Sequence, residues 1–439
     1  MQNKRLATIF VVVFVDLLGF GLILPLLPYY AERFGASPFV VGLLAASYAA
    51  AQLIGAPVLG RLSDRHGRRP VLLVSIAGTV VGFLLLGLAE PLGTWLAGLL
   101  PASLSAESQV AATNAIILGI LFFSRILDGL TGGNISVAQA YITDITDEEN
   151  RARGLGLIGA AFGLGFIIGP AAGGALSAGA RYAIPAFFAA GVAFLNWIAV
   201  LLWLPESLTE EVKARMAEQP ARSILSLKEL WEALRRPRFG PLLHIRLFYG
   251  LAFATFTGVF ALYAQYRLDL DSTQTGYILA YVGLLSVLVQ GLAIGRLTKR
   301  HPENRLIFGA VILLAVSLLG WAFAPSVPVL LVVLAPVSLA AGVLNTVINS
   351  AITKAVHAEE VGGALGIAAS IESLTRVVGP AAGGFLLGAL GTWAPGVIGA
   401  LLMAWLVSYV WRRLIVNPDP PLPRRGGEPV AQEAAQAQS

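Results

Sequence analysis

The hexapeptide GPAAGG occurs twice in this sequence, at Gly169–Gly174 and again at Gly379–Gly384. Each copy lies late in a glycine-rich apolar stretch that is long enough to cross a bilayer as a helix. A second match pairs GRLS at Gly60–Ser63 with GRLT at Gly295–Thr298. Because the two matches occur in the same order, the sequence predicts two related halves that run in the same direction.

The composition places these halves in a membrane. Of 439 residues, 56% are hydrophobic and 13% are charged, whereas soluble proteins carry roughly a quarter charged residues. Apolar runs of membrane-spanning length recur along nearly the whole chain. The sequence has no cysteine, which excludes disulfides, thiolate metal sites and cysteine nucleophiles. We therefore expect a protein that crosses the bilayer many times.

The apolar windows predict an all-α integral membrane fold with twelve transmembrane helices, arranged as two pseudo-symmetric six-helix bundles. The predicted spans are residues 6–31, 39–60, 70–89, 114–141, 153–178, 183–204, 241–264, 272–297, 305–323, 328–350, 361–389 and 392–412.

The spans predict four regions. Residues 1–204 form the first bundle, 205–240 a cytoplasmic linker, 241–416 the second bundle and 417–439 a disordered cytoplasmic tail. The linker has capping-box spacing at Ser226 and Glu229, followed by apolar residues at helical intervals, which predicts an amphipathic helix on the membrane surface. Residues 91–113 are surplus to the first half and predict a short interfacial or re-entrant helix around 92–104.

The distribution of basic residues predicts the orientation. Among the 30 Lys and Arg residues, only Arg33, Arg181 and Arg267 fall in connections after odd-numbered spans. Arg125 and Arg376 lie within spans, and the rest are counted at the other face, which is therefore the cytoplasm, with both termini. The pI of about 9.5 reflects this orientation, so no nucleic-acid partner is expected.

Ionisable residues inside spans are the strongest chemical signal. A charge at the bilayer centre costs at least ~2.5 kcal/mol, so such residues usually face a cavity and a partner. Asp16 lies about ten residues, or roughly 15 Å, into the first span, near the middle of a ~30 Å hydrocarbon core. The proton-coupling candidates are Asp16, Arg125, Asp128, Glu372 and Arg376.

Asp16 is the first candidate for the proton carrier, since no charged residue neighbours it on its own helix. We hypothesise that Arg125 is its partner, released when a proton binds. The alternative is that Arg125 with Asp128, and Glu372 with Arg376, are intrahelical pairs that neutralise each other and only aid insertion.

Three motifs resemble those of the major facilitator superfamily. The loop after the second span resembles its loop signature and contains Gly60, Arg61, Asp64, Arg65, Gly67, Arg68 and Arg69. Arg125–Gly129 resembles the fourth-helix signature. The fifth-helix signature associated with antiporters is matched by Gly165, Gly169, Pro170, Gly173 and Gly174, with Gly379 and Pro380 in the second half. The stretches Asp16–Pro25 and Leu204–Ser207 are similar to the tetracycline-type branch of the drug/proton antiporters.

The resemblance implies that the loop is a cytoplasmic latch for the outward-facing state, and that the antiporter motif lets the halves slide near Pro170. The residues alone also allow a plain positive-inside loop and generic small-residue packing. Tetracycline exporters carry further acids in helices three and nine, which are lacking here. Polar and aromatic candidates for a substrate cavity are Tyr48, Gln52, Phe162, Asn196, Gln290, Asn345 and Asn349; each could equally serve packing or hydrogen bonding between helices.

The leading hypothesis is a proton-coupled antiporter that exports small amphipathic compounds across the cytoplasmic (inner) membrane by alternating access. The expected partners are a small-molecule substrate, protons and the lipid bilayer, with a monomeric protein and no cofactor or metal. An enzyme is not expected, because neither a phosphate-binding GxxxxGK[ST] loop nor an HExxH motif occurs. A proton symporter that imports a metabolite, and a non-transporting membrane sensor or assembly protein, are the alternatives.

Overall fold

The fold is described by a computed structural model for residues 2–101, 103–209 and 227–418. Within these ranges every regular element is a helix, and twelve helical stretches are long and apolar enough to cross a membrane. This confirms the predicted number of spans and the all-α membrane fold. The capping box at Ser226 and nearly all of the predicted tail lie outside the described residues.

The described part of the first half contains nine helices. They are α1 Gln2–Ile23, α2 Leu27–Glu32, α3 Pro38–His66, α4 Arg68–Gly87, α5 Ala89–Ala97, α6 Ala106–Thr131, α7 Asn134–Ile145, α8 Glu148–Leu176 and α9 Ala183–Trp203.

The described residues of the linker and the second half, 227–418, contribute eight more α-helices. They are α10 Leu227–Arg235, α11 Phe239–Leu268, α12 Ser272–Leu288, α13 Ile294–Arg300, α14 Glu303–Ala322, α15 Val327–Lys354, α16 Val361–Leu390 and α17 Ala394–Val410. A π-helical segment, Val289–Ala293, joins α12 to α13, and a second one, Trp411–Val416, follows α17.

Two predicted spans are each broken into two helices. The first, predicted over residues 6–31, ends as α1 at Ile23, because Pro25 lacks an N–H and its ring cannot sit in the preceding turn. The fourth, predicted over 114–141, is divided into α6 and α7 at the consecutive glycines Gly132 and Gly133. Glycine has the lowest helix propensity of any residue except proline. Both breaks were missed from the sequence because a hydropathy window measures the apolar length of a stretch and not the continuity of its helix.

The surplus segment and the linker each contain a short helix. Helix α5 packs against α6, with Gly93 close to Ile117, and α6 begins at Ala106 on the Ser105 cap. Residues 91–113 are therefore a short helix followed by an N-terminal extension of the fourth span. In the linker, α10 buries Ala233 and packs next to the start of α11.

The repeated hexapeptide packs in the same way in both halves. In the first half, Gly165, Gly169 and Gly173 lie against α1, with Gly169 directly opposite Gly21. In the second half, Gly379 lies against α11, close to Ala254. Small residues let the two backbones approach closely. The first helix of each half is thus held by the fifth, as two-fold pseudo-symmetry requires.

The remaining motif residues join the halves to each other. Gly174 lies against Thr273 of α12, and a Cβ added there would be 2.9 Å from the Thr273 carbonyl oxygen. The symmetric contact places Gly384 of α16 against the Pro38 backbone of α3. Helix pairs α8–α12 and α3–α16 therefore form the interface between the halves.

The interface is closed at one end only. We call the end that carries the loop at 60–69 and the linker the terminal end, and the other the opposite end. At the opposite end Tyr29 hydrogen-bonds Thr275 at 2.7 Å and Ser177 hydrogen-bonds Ser272 at 2.8 Å. Toward the terminal end, by contrast, positions on α8 and α16 face open space, among them Gly156, Gly159, Gly362 and Gly366. The gap between the halves consequently opens to the terminal end.

Candidate functional site

The first half places a buried ion pair in the middle of the bundle. Arg125 and Asp128, one turn apart on α6, form a salt bridge of 3.1 Å, and their side chains are 4% and 7% exposed. Arg125 also donates to the Ser124 hydroxyl at 3.3 Å and lies over the Phe83 ring. Arg125 is therefore held by its own helix in this conformation.

Asp16 occupies a different environment from the one hypothesised. It is half-buried on α1, where the Asn134 side chain and the Asp128 carboxylate act on it electrostatically. In the described part of the chain Asp16 forms no ion pair, and Arg125 is paired with Asp128 instead. We call Asp16, Arg125, Asp128 and Asn134 the first-half cluster.

The break between α6 and α7 places a helix N-terminus, and not an arginine, beside Asp16. Asn134 is the first residue of α7, so the N-terminus of a twelve-residue helix lies beside the Asp16 carboxyl. Unpaired N–H groups and the helix dipole favour negative charge at such a terminus. Asn134 was missed from the sequence; Gly132-Gly133 within an apolar span was the available signal.

Tyr48 and Gln52 of α3 lie beside this break. The Gln52 amide donates to the Gly132 carbonyl at 2.9 Å and to the Tyr48 hydroxyl at 3.1 Å, so it satisfies a backbone oxygen exposed by the break. Tyr48 is also within electrostatic range of charges from both halves, which are Asp16, Asp128, Arg125 and Arg376. This tyrosine therefore stands where the two halves face each other.

The second half holds a larger charge network than the sequence predicted. The Glu372 carboxylate pairs with Arg376 at 2.6 Å, as the intrahelical alternative requires, but its other oxygen pairs with Arg246 of α11. Arg246 also donates to Asn345 of α15 at 2.9 Å. We call Arg246, Asn345, Glu372 and Arg376 the second-half cluster.

Arg246 lies inside the predicted span 241–264, although the distribution of basic residues described above counts it at the cytoplasmic face. Its side chain is 6% exposed, which a cation tolerates only with partners. The available signal was its position, six residues into an apolar stretch.

The other four cavity candidates lie in four different settings. Phe162 stacks on Phe166, which contacts Phe20. Together these three rings form an aromatic wall beside Tyr48. Asn349 lines a cavity of about 430 Å³ next to the second-half cluster. Asn196, in contrast, is buried and donates to the Val12 carbonyl at 3.4 Å, so it joins two helices of one half. The remaining candidate, Gln290, is exposed within the π-helical segment.

The motif at 60–69, predicted as a loop, is helical except at Gly67, because α3 continues to His66 and α4 begins at Arg68. It forms a network within the first half. Arg68 is buried and contacts Asp64 and Asp144, the latter at 3.0 Å. Glu206 accepts from the backbone N–H of Arg68 at 2.9 Å and of Arg69 at 3.2 Å. Gly67 has a φ of +103°, a conformation that favours glycine. The remaining contacts are short-range or go to α9: Arg61 to Pro57, and Arg69 to Leu201.

Comparison with known proteins agrees with this architecture. The sequence model of the Major Facilitator Superfamily matches residues 9–325 and 245–437. Solute carrier family 22 member 18 of Rattus norvegicus is 30% identical over 88% of this chain and 89% of its own length. The class C tetracycline resistance protein of Escherichia coli is 31% identical over 86% of this chain and 88% of its own.

A solved structure has the same fold. The crystal structure of the human organic anion transporter MFSD10 (TETRAN) superposes with a TM-score of 0.63. It covers 93% of this chain and 99% of its own, at 23% identity. Together with the family match over both halves, these similarities show that the chain belongs to the major facilitator superfamily, whose members are transporters and not enzymes.

Proposed function

We propose that this protein is a proton-coupled antiporter that exports small amphipathic compounds by alternating access. The observation that carries the proposal is Asp16, a half-buried carboxyl at membrane depth on α1 that forms no ion pair among the described residues. Asp128 and Glu372, by comparison, are each fixed by arginine. Asp16 is thus the carboxyl best suited to gain and lose a proton.

The terminal end is assigned to the cytoplasm by its excess of Lys and Arg. We therefore assign the structure to an inward-facing state, in which Asp16 releases its proton to the cytoplasm. In this state the loop at 60–69 contacts its own half through Asp144 and Glu206. A latch that holds the outward-facing state is expected to be open in an inward-facing state. The contacts of this motif within its own half agree with that expectation.

In the proposed cycle Asp16 takes a proton when the gap opens to the outside. The neutral carboxyl avoids the cost of a charge at a half-buried position within the membrane. Once the proton is released to the cytoplasm, Asn134 and the start of α7 stabilise the charged carboxylate. Substrate then binds, and the loaded protein returns to the outward-facing state.

The relatives bear on the substrate. The Escherichia coli relative is described as a tetracycline resistance protein. Here the interior of α4 has no acid, and Glu303 of α14 lies at the first residue of the helix, where it pairs with Lys354 at 2.7 Å. We therefore do not propose tetracycline as the substrate.

The experiment uses inverted membrane vesicles from cells that express the protein. Compounds are first selected as those to which expression confers resistance. With the vesicle interior acidified, wild-type vesicles are expected to accumulate such a compound while they lose protons. Asp16→Asn should abolish both, whereas Glu90→Gln, an exposed carboxyl at the opposite end, should leave both unchanged. Proton-coupled accumulation that persists in Asp16→Asn contradicts the assignment.

The same vesicles separate the rivals. A symporter would move substrate and protons out of the acidified vesicles together. A sensor or assembly protein would move neither.

A further inference from the structure

The second-half cluster carries more positive than negative charge. It contains two guanidinium groups, Arg246 and Arg376, and one carboxylate, Glu372, which contacts both. Asn345 is neutral and accepts from Arg246. With all three groups ionised, the cluster holds one positive charge that no carboxylate of its own balances. This excess repels a cation and attracts an anion.

The two arginines differ in access. The Arg246 side chain is 6% exposed and is held between Glu372 and Asn345, whereas that of Arg376 is 59% exposed. Arg376 lies on α16, which packs against α3 of the first half, and its charge acts on Tyr48 of α3. A guanidinium has five N–H donors, and one nitrogen of Arg376 is engaged with Glu372. Arg376 can therefore receive a further anion.

An amphipathic cavity adjoins the cluster. Its volume is about 430 Å³, within the range of small-molecule sites. Arg246 and Glu372 form one wall of this cavity. Asn349 and Thr353 add neutral polar groups, and Leu365 and Ala369 provide an apolar surface. Arg376 does not line the cavity, but it contacts Glu372, which does. A ligand with an anionic head at Arg376 and an apolar body in the cavity fits this arrangement.

We propose that the second-half cluster is the substrate site and that it binds organic anions, meaning carboxylates or sulfonates with an apolar body. This inference rests on the proposed transport function and names its substrate class. The head group binds Arg376 in the bidentate manner typical of arginine, and Glu372 then pairs with Arg246 alone. Proton binding at the first-half cluster and substrate binding at the second-half cluster are thereby assigned to different halves.

Ligand binding to the purified protein in lipid nanodiscs tests this without transport. The probes are 2-naphthoate and its isosteres 2-naphthamide and 2-naphthylmethylamine, with 2-naphthalenesulfonate and decanoate, each paired with its amide. We expect an anion to bind at least ~10-fold more tightly than its neutral partner, as a charge-assisted contact supplies. The amine should not bind measurably.

The variants locate the site. Arg376→Gln should abolish the preference for the anion, and Arg376→Lys should restore it in part. Arg33→Gln is the matched control, because it removes an exposed, ion-paired arginine at the opposite end. Glu372→Gln should tighten anion binding, since it removes the carboxylate that occupies Arg376. A residue that serves only insertion or folding would not change binding in this direction.

Equal binding of each anion and its amide overturns the inference, and so does an unchanged anion affinity in Arg376→Gln. Failure here is distinguishable from failure of the proposed function. If Asp16→Asn still abolishes proton-coupled export of a cationic or neutral compound, antiport stands and the anion site is wrong.

Discussion

At the residue scale, two carboxylates on neighbouring helices are expected to have different roles. Asp128 neutralises the buried Arg125, while Asp16 is beside Asn134 and has no ion-pair partner in the described chain. Removal of one member of a buried pair leaves the other charge uncompensated. We therefore expect Asp128 to contribute mainly to stability and Asp16 mainly to proton coupling.

Asp128→Asn is expected to destabilise the protein by about 3 kcal/mol or more, because the Arg125 guanidinium stays buried. Asp16→Asn should change stability by less than about 1 kcal/mol. Thermal unfolding of both variants in the same detergent measures the difference. Equal destabilisation would mean that Asp16 is also a structural charge.

Glu32 lies outside the membrane spans, and its environment predicts that the stability of the closed opposite end depends on pH. Burial raises the pKa of Glu32, although the Tyr266 hydroxyl donates to its carboxylate. A raised pKa means that this carboxyl favours the folded, sealed state below its ordinary value of 4.5. The contribution is lost as the pH rises through the raised value.

Glu32→Gln should therefore reduce the fall in thermal stability between about pH 5 and about pH 8, by less than about 1 kcal/mol because the group is half-buried. Glu90→Gln, at the same end, is the control. An unchanged pH profile in Glu32→Gln would show that this carboxyl does not contribute.

The positions of the ionisable residues within the spans could be predicted from the sequence, whereas their role in proton coupling stays a prediction. Asp16, Arg125, Asp128, Glu372 and Arg376 were found because an ionisable residue is conspicuous in an apolar run. Their pairing was only half predicted. Pairs on one helix follow from spacing, whereas contacts with Asn134 or Arg246 depend on how separate helices are rotated against each other.

At the element scale, the motif glycines have two different neighbours. Gly169 and Gly379 pack within their own halves, whereas Gly174 and Gly384 pack across the interface. The repeat itself was evident in the sequence. Which glycine serves which contact was not, because residues one position apart point to different helices.

Gly384→Ala is expected to open the seal at the opposite end, because its Cβ meets the Pro38 backbone. Gly366→Ala on the same helix is the control, since a Cβ there meets open space. The reporter is Ser177→Cys, at a fully buried position within the seal, in a chain with no native cysteine. Maleimide labelling should accelerate in Gly384→Ala alone; equal rates in both variants would remove Gly384 from the seal.

The helix breaks show the limit of hydropathy at this scale. Windows of apolar residues placed twelve spans correctly, because the bilayer thickness sets their length. They could not show that α6 ends at Thr131 and α7 restarts beside Asp16. That detail depends on glycine geometry and on Gln52, which satisfies the exposed Gly132 carbonyl.

At the scale of the whole molecule, two similar halves pack through α3–α16 and α8–α12, closed at the opposite end. The pseudo-symmetry means that one rocking motion can exchange the closed end. In the proposed cycle the neutral form of Asp16 favours the inward-facing state, because a charged carboxylate is costly at a half-buried position within the membrane. Proton binding is thereby coupled to the direction in which the gap opens.

Distances between spin labels on cysteine pairs test this coupling most directly, in a chain without native cysteines. His66→Cys with His301→Cys reports the terminal end, and Arg181→Cys with Thr392→Cys the opposite end. All proteins carry Glu32→Gln, which removes the second pH-sensitive carboxyl. From about pH 5 to about pH 8, the terminal-end distance should shorten and the opposite-end distance lengthen, while the Asp16→Asn protein keeps its acidic distances throughout. An Asp16→Asn protein that follows the same pH-dependent change would contradict the account.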